Sequence, residues 1–424
     1  MRERDVMSAI PITRDFIERI PKTDIHLHLD GSLRLPTLIE LAKTGKVELP
    51  SYEEAGLKET VFKPQYTGLP EYLEGFRYTC AVLQTADNLE RAAYELALDN
   101  LAEGVRYIEV RFAPQLHISD HLDAKAVMRA VCNGLERAKN EHNGLAEVEN
   151  GNDLSFDFGV IACALRSFNE HFGGYYAGLL AVLPRAPRKE VFSVASLEMV
   201  REAVELRDQE GLPIVGFDLA GEEAGYPASS HIKAFSYAHQ HFMKKTVHAG
   251  EAYGPESIFQ AITACHANRI GHGTFLFEES MLQDESIANR NRYVKQLAEY
   301  VASQRITLEV CLTSNLQTTP SITSIESHPL ARMLEHDLSI SICTDNRLVS
   351  DTTVTDELLL ASDNLNMTRS QFRNVIIAGF KGSFFPGSYN VKRAYVRRMI
   401  DLYDKIEGNY GVPPDRSNTA SSGS

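Results

Sequence analysis

His26 and His28 stand at alternate positions in Thr23-Asp24-Ile25-His26-Leu27-His28-Leu29-Asp30-Gly31, a short apolar run ended by glycine. In an extended strand alternate side chains leave the same face, so His26, His28 and Asp30 project together while Ile25, Leu27 and Leu29 face the other way. Two imidazoles one pleat repeat apart can bind a single cation. His248, in Val247-His248-Ala249-Gly250-Glu251, and Asp345, in Cys343-Thr344-Asp345-Asn346, complete a set of three neutral nitrogens and one carboxylate oxygen. That mixture suits zinc, with iron, cobalt or manganese as other occupants, and it leaves a position for water, whose pKa zinc lowers to about 7. Glu251, three residues beyond His248, and His272, between Gly271 and Gly273, add acid-base groups. A glutamate beside an apolar pocket has a raised pKa and can carry a proton, and His272 can orient or deprotonate the water.

Other histidine pairs do not have this meaning. His239 and His241 share the spacing but sit in an amphipathic helical pattern, where such residues diverge, so they are expected on a solvated face. His117 and His121, four apart beyond the second strand, are taken as structural.

Eight short runs rich in Val, Ile and Phe position these groups: 23–29, 105–112, 156–164, 213–219, 244–248, 269–272, 306–312 and 339–343. Amphipathic segments at 89–101, 197–209, 229–242 and 293–302 lie between them, with apolar residues three and four apart. Alternating strand and helix, repeated eight times, predicts an α/β protein of the TIM-type (β/α)8 class, an open doubly wound sheet being the structural alternative. Polar residues decide between them. They gather at the ends of strands one, four, five, six and eight, where barrel enzymes keep their catalytic groups. One barrel domain over residues 1–410 is expected, including an N-terminal helix and a lid insertion at 47–85, followed by a small polar tail at 411–424 expected to be disordered.

Two connections exceed the minimal length. In 47–85, Leu69, Tyr72, Leu73 and Phe76 fall on one helical face suited to covering a pocket; 166–195 contains Gly173-Gly174-Tyr175-Tyr176 and a Pro-Arg-rich end. Loops this long often act as lids or partner surfaces.

Of the 424 residues, 43% are hydrophobic and 24% charged, and no run approaches the roughly 18 to 20 apolar residues of a membrane span. The start, Met1-Arg2-Glu3-Arg4-Asp5-Val6-Met7, lacks the apolar block of a secretory signal. A formal net charge of −14 with no basic stripe argues against nucleic acid and membrane partners. The six cysteines are dispersed without a C-x-x-C pair, which suits reduced thiols in a cytoplasmic protein.

Together these residues resemble the adenosine deaminase family of metal-dependent amidohydrolase barrels. The matching segments are Asp24 to Ser32, Asp218 to Glu223, Val247 to Glu251, Arg269 to Gly273, Cys311 to Asn315 and Cys343 to Asn346. The resemblance implies one zinc per chain on His26, His28, His248 and Asp345, with Glu251 protonating purine N1, His272 orienting the water and Asp345 in the catalytic set. It further implies that Gly221 contacts N3 through its backbone, that Asp30 accepts from the ribose 5'-hydroxyl, and that His28, Asn346 and the lid residues Leu69, Tyr72, Leu73 and Phe76 border the substrate. The implied reaction converts adenosine and 2'-deoxyadenosine to inosine and 2'-deoxyinosine plus ammonia, a purine salvage step. Asn346 departs from the familiar pattern, which has a second aspartate there. An amide can donate to purine N7 without first gaining a proton. A 5'-phosphate would bring negative charge beside Asp30, so a nucleoside is favoured over a nucleotide. The closest alternative is a deaminase of a modified nucleoside or nucleotide, such as N6-methyl-AMP or aminodeoxyfutalosine. A two-metal hydrolase would need a bridging group at strand four, where Asp218-Leu219-Ala220-Gly221 stands, and the other zinc deaminase architecture would need H-x-E and P-C-x-x-C elements that do not occur.

Overall fold

The computed structural model describes residues 11–411, so the charged start and the tail from residue 412 lie outside the described residues. Eight strands run in parallel and in chain order: β1 (Lys22–His28), β2 (Val105–Phe112), β3 (Asp157–Leu165), β4 (Ile214–Ala220), β5 (Lys244–Ala249), β6 (Arg269–His272), β7 (Thr307–Val310) and β8 (Ser339–Ile342). Each pairs with the next, and helices fill the connections. A bridge between Leu27 and Asp345 brings the last strand back to the first and nearly closes the barrel.

Alternation within the strands sorts the side chains. Ile25 and Leu27 of β1, Ile108 and Val110 of β2, Phe217 and Leu219 of β4, and Leu308 and Val310 of β7 enter one large apolar core. The intervening positions carry His26, Glu109, Arg111, Asp218 and Glu309, all buried; His26 pairs with Glu309, and Arg111 with Asp218 and Glu309. Arg269 of β6 joins them by bonding Glu109 and Glu309. Buried ion pairs add little net stability, because desolvation offsets attraction, but removing one partner leaves a costly bare charge.

The insertion at 166–195 builds its own small cluster. The Phe168 ring lies 4.2 Å from Tyr176 and 4.8 Å from Phe192, on the helices Gly174–Val182 and Arg188–Glu210. Tyr176 donates to Gln115 at 3.1 Å, tying this cluster to the turn after β2. The expected face at 69–76 is split between two short helices, Leu69–Leu73 and Phe76–Val82. At the break, a Cβ on Gly75 would come within 3.2 Å of the Phe62 ring, so a larger residue there would require that ring to shift by a few tenths of an ångström. Among the described residues no helix is long and apolar enough to cross a membrane, and all six cysteines are free.

Candidate active site

Barrel closure and site assembly are the same event. The His28 amide donates to the Asp345 carbonyl at 2.8 Å and the Asp345 amide to the His26 carbonyl at 2.9 Å, which sets Asp345 beside both histidines. One oxygen, Oδ1, lies 3.5 Å from His26 Nε2 and 3.5 Å from His28 Nε2, while Oδ2 accepts from Ser314 at 2.6 Å. From β5, His248 Nε2 reaches within 3.2 Å of His28 Nε2.

The ring nitrogens are assigned by what holds their far sides. His26 Nδ1 lies 2.7 Å from Glu309 Oε2 and His248 Nδ1 3.1 Å from Asp218 Oδ2. An ionised carboxylate can only accept, so both rings donate from Nδ1 and turn an Nε2 lone pair toward Asp345. Arg111 fixes the two carboxylates in turn, bonding Asp218 and Glu309 at 2.8 Å each. Buried His26 Nε2 has no hydrogen-bond partner. Bare lone pairs facing a carboxylate suit a cation, and nitrogens bound tetrahedrally to zinc at about 2.0–2.1 Å would sit roughly 3.3 Å apart, close to the His28–His248 separation. The residues present therefore fit a zinc-class ion held by His26, His28, His248 and Asp345. Gly271 makes room for the His26 ring: a Cβ there would meet His26 Cε1 at 3.0 Å.

His272 also lies within ligand distance of His26, His248 and Asp345. Its tautomer gives it another part. The Leu330 amide donates to His328 Nδ1 at 3.1 Å, His328 Nε2 reaches Asn315 Oδ1 at 3.2 Å, and Asn315 Nδ2 reaches His272 Nδ1 at 3.2 Å. Each link fixes the next, so His272 accepts at Nδ1 and presents a proton on Nε2, which is buried and unpartnered. Burial also pushes its pKa well below the usual histidine value. A neutral ring offering N–H orients an oxygen rather than deprotonating it, which narrows the two roles read from sequence.

Glu251 Oε1 stands 3.6 Å from His272 Nε2. Burial, then the charges of Asp345 and Glu223, raise its pKa well above the usual carboxyl value and so favour its protonated form. Glu223 also holds the loop that carries it, accepting from the amides of Gly250, Glu251, Ala252 and Tyr253 and from the Ser257 hydroxyl.

Other sequence-derived residues divide as follows. Asp30 is buried, with its pKa pushed up to about 7 by burial and Oδ1 unpartnered. Gly221 follows β4 with φ +95, a left-handed backbone that favours glycine. Asn346 donates to the Tyr72 hydroxyl at 2.9 Å, and Tyr72 shares a 2.7 Å hydrogen bond with Ser350, so lid and rim are joined. The Asn346 side-chain oxygen is buried without a partner, in space that a Cβ on Gly31 would occupy. Leu69, Leu73 and Phe76 are half-buried against the apolar core beside buried Tyr72. His239 is exposed and distant in sequence from every rim strand end, as its helix implies. His117 and His121 separate: His121 is exposed, whereas His117 is fully buried.

Sequence reasoning passed over Arg111, Glu309, Glu223, Asn315 and His328 as functional groups. Charged residues inside the apolar runs of β2 and β7 were a usable signal, since a buried parallel strand tolerates a charge only when it is paired. For His328, on a loop, no such signal exists.

A model of the adenosine deaminase family matches residues 21–401. An adenosine deaminase of Mycolicibacterium vanbaalenii is 34% identical over 404 residues, covering 95% of this chain and 98% of the relative. A Dictyostelium discoideum relative is 32% identical over 92% of this chain, which spans only 44% of that longer protein. Among solved structures, an amidohydrolase of Burkholderia ambifaria with bound Zn superposes at TM-score 0.74 with 19% identity, covering 95% of this chain and 96% of its own. An Arabidopsis N6-mAMP deaminase superposes at 0.69 with 25% identity, covering 91% and 99%.

Proposed function

Because the chain belongs to the adenosine deaminase family, we propose that it hydrolyses adenosine and 2'-deoxyadenosine to the inosine nucleosides and ammonia, using one zinc ion on His26, His28, His248 and Asp345. The observation that carries this reading is the pairing of a protonated carboxyl group, Glu251, with a neutral N–H donor, His272, 3.6 Å apart beside that donor set. Such a pair gives one proton to a ring nitrogen and offers another to an oxygen arriving at the neighbouring carbon.

Bound zinc supplies Lewis acidity, which lowers the pKa of water to about 7. Glu251 donates its proton to N1, drawing electron density from C6. His272 aims its Nε2 hydrogen at the oxygen that adds there, and stabilises the charge that develops on it. Asp345, with Oδ2 fixed by Ser314, keeps Oδ1 for the cation or for a proton in transit. The proton lost by the water passes by way of Asp345 Oδ1 to the amino group, which leaves C6 as ammonia, and the new hydroxyl at C6 returns its proton to Glu251 as it becomes the carbonyl. Asn346 retains a second amide hydrogen for N7, the first being engaged by Tyr72. Asn346→Asp should change kcat on adenosine by less than about tenfold, or roughly 1.4 kcal/mol, measured by steady-state kinetics; a larger loss counts against an N7 contact of this kind.

The pH dependence follows from Glu251. Its protonated form is the active one and its pKa is raised, so turnover falls as pH rises through that raised value, at higher pH than an ordinary carboxyl group would allow. Glu223→Gln removes one of the negative charges that favour protonation, so the alkaline limb of log kcat against pH should move to lower pH. A limb that moves upward or stays fixed would remove Glu223 from this role.

For substrate choice, Asp30 is surrounded by a thiol, Cys80, and two imidazoles, His117 and His28, and burial lowers the pKa of both rings, so no fixed positive charge awaits a phosphate. This supports a nucleoside over N6-methyl-AMP or other nucleotides. Amine release measured from adenosine, 2'-deoxyadenosine, AMP, N6-methyl-AMP and adenine, with metal content determined on the same sample, tests the reading. Adenosine and 2'-deoxyadenosine should turn over fastest with one tightly held metal per chain; faster turnover of either nucleotide would transfer the assignment to it.

A further inference from the structure

Asp30, Cys80 and His117 bring a carboxylate oxygen, a thiol sulfur and an imidazole nitrogen within 4.8 Å of one another, apart from the rim ligands. They come from three places: the extension of β1, the helix Phe76–Val82, and the turn after β2. His117 Nδ1 lies 2.9 Å from the Leu83 carbonyl, which can only accept, so the neutral ring keeps its lone pair on Nε2. That nitrogen is buried without a partner, and so is Asp30 Oδ1. Two unpartnered acceptors thus converge beside a thiol, whose S–H is a weak donor, and a cation would satisfy all three groups at once.

The surroundings hold this cradle in place before any ligand arrives. Gln84 Nε2 donates to the Cys80 carbonyl at 2.7 Å and to the Leu116 carbonyl at 3.2 Å, so the thiol-bearing helix and the imidazole-bearing turn are fastened together twice. We propose that Asp30, Cys80 and His117 form a second divalent-cation site, of zinc-like donor preference and weaker than the rim site. Thiolate and carboxylate neutralise a 2+ ion, the imidazole completes a three-donor set, and binding releases the Cys80 proton to solvent. Three protein ligands leave one position open, which accounts for the weaker hold. The His28 ring separates the two sites, with Nδ1 4.0 Å from Asp30 and Nε2 3.5 Å from Asp345.

A consequence rests on the reading of Asp30 as the acceptor for the ribose 5'-hydroxyl: the second ion and the nucleoside then compete for one carboxylate. Excess zinc would therefore raise KM for adenosine and leave kcat unchanged.

The test titrates holoenzyme, already carrying its tight metal, with Co2+. The expected result is one further equivalent with a thiolate-to-cobalt charge-transfer band that is absent in Cys80→Ser, and with affinity weakened at least about tenfold in His117→Gln. Circular dichroism confirms that both variants fold, and metal analysis confirms that both retain the one tightly held ion. No further equivalent, or a band that survives in Cys80→Ser, overturns the site; a donor such as water would then satisfy the two acceptors. A second equivalent that depends on Cys80 but leaves KM unaffected upholds the cation site and removes Asp30 from the 5'-hydroxyl. Undiminished turnover of 5'-deoxyadenosine tests that assignment separately.

Discussion

Glu251→Gln is expected to lower kcat on adenosine by about 10²- to 10⁴-fold, the usual contribution of a positioned acid, while metal content stays at wild type. Glutamine keeps the size of the side chain and can still donate a hydrogen bond, but it cannot surrender a proton to N1. The loss should fall on kcat more than on KM, since proton transfer belongs to the transition state and not to binding. Steady-state kinetics with metal analysis on the same preparation read both. A substrate already electron-poor at C6 depends less on N1 protonation, so a 6-chloropurine nucleoside should lose less of its turnover than adenosine does. Equal losses on both substrates would mean that Glu251 serves by shape or charge and not as the acid.

The second large effect lies beneath the rim. Arg111→Met should destabilise the fold by about 3–5 kcal/mol, the cost of leaving buried carboxylates unpaired, and should weaken metal retention by about 10- to 100-fold. Arg111 bonds Asp218 and Glu309, which fix the Nδ1 hydrogens of His248 and His26. Removing it frees both carboxylates to shift or take up protons, and the two rings lose their assigned tautomers together. Glu309 retains Arg269 and Thr246, so the damage at His26 should be smaller than at His248. Urea unfolding gives the first quantity, and the rate of zinc transfer to a chromogenic chelator gives the second. A variant that unfolds early yet releases zinc at the wild-type rate would confine Arg111 to folding.

The barrel was legible because its strands are short apolar runs at regular intervals, and observed and expected boundaries differ by a residue or two at most ends. The seventh run was expected through Leu312 but ends at Val310, because the chain turns into the helix Leu312–Thr318. The cause is remote: Glu357 accepts from the amides of Leu312 and Thr313 and stabilises the helix start. Asp30, expected on the same strand face as His26 and His28, lies in the turn two residues past the end of β1. His26 and His28 could be grouped because strand alternation is a local rule. The link from Leu330 through His328 and Asn315 to His272 could not, since it joins segments that meet only after the barrel closes. His117 illustrates the converse failure. It was taken together with His121 as structural, whereas the turn after β2 buries one ring and exposes the other.

His272 and Asp345 share one further property, backbone φ angles of +63° and +62° at the ends of β6 and β8. Side-chain-bearing residues occupy this left-handed region at a cost of about 1–2 kcal/mol each, and glycine would sit there freely. Thermostability and turnover therefore draw in opposite directions at these two positions. Under the proposed function, a glycine at either position would relax the backbone and remove a group that the reaction needs. A lineage that retains His272 and Asp345 records continued selection for turnover, so these two codons report whether a descendant of this chain is still at work.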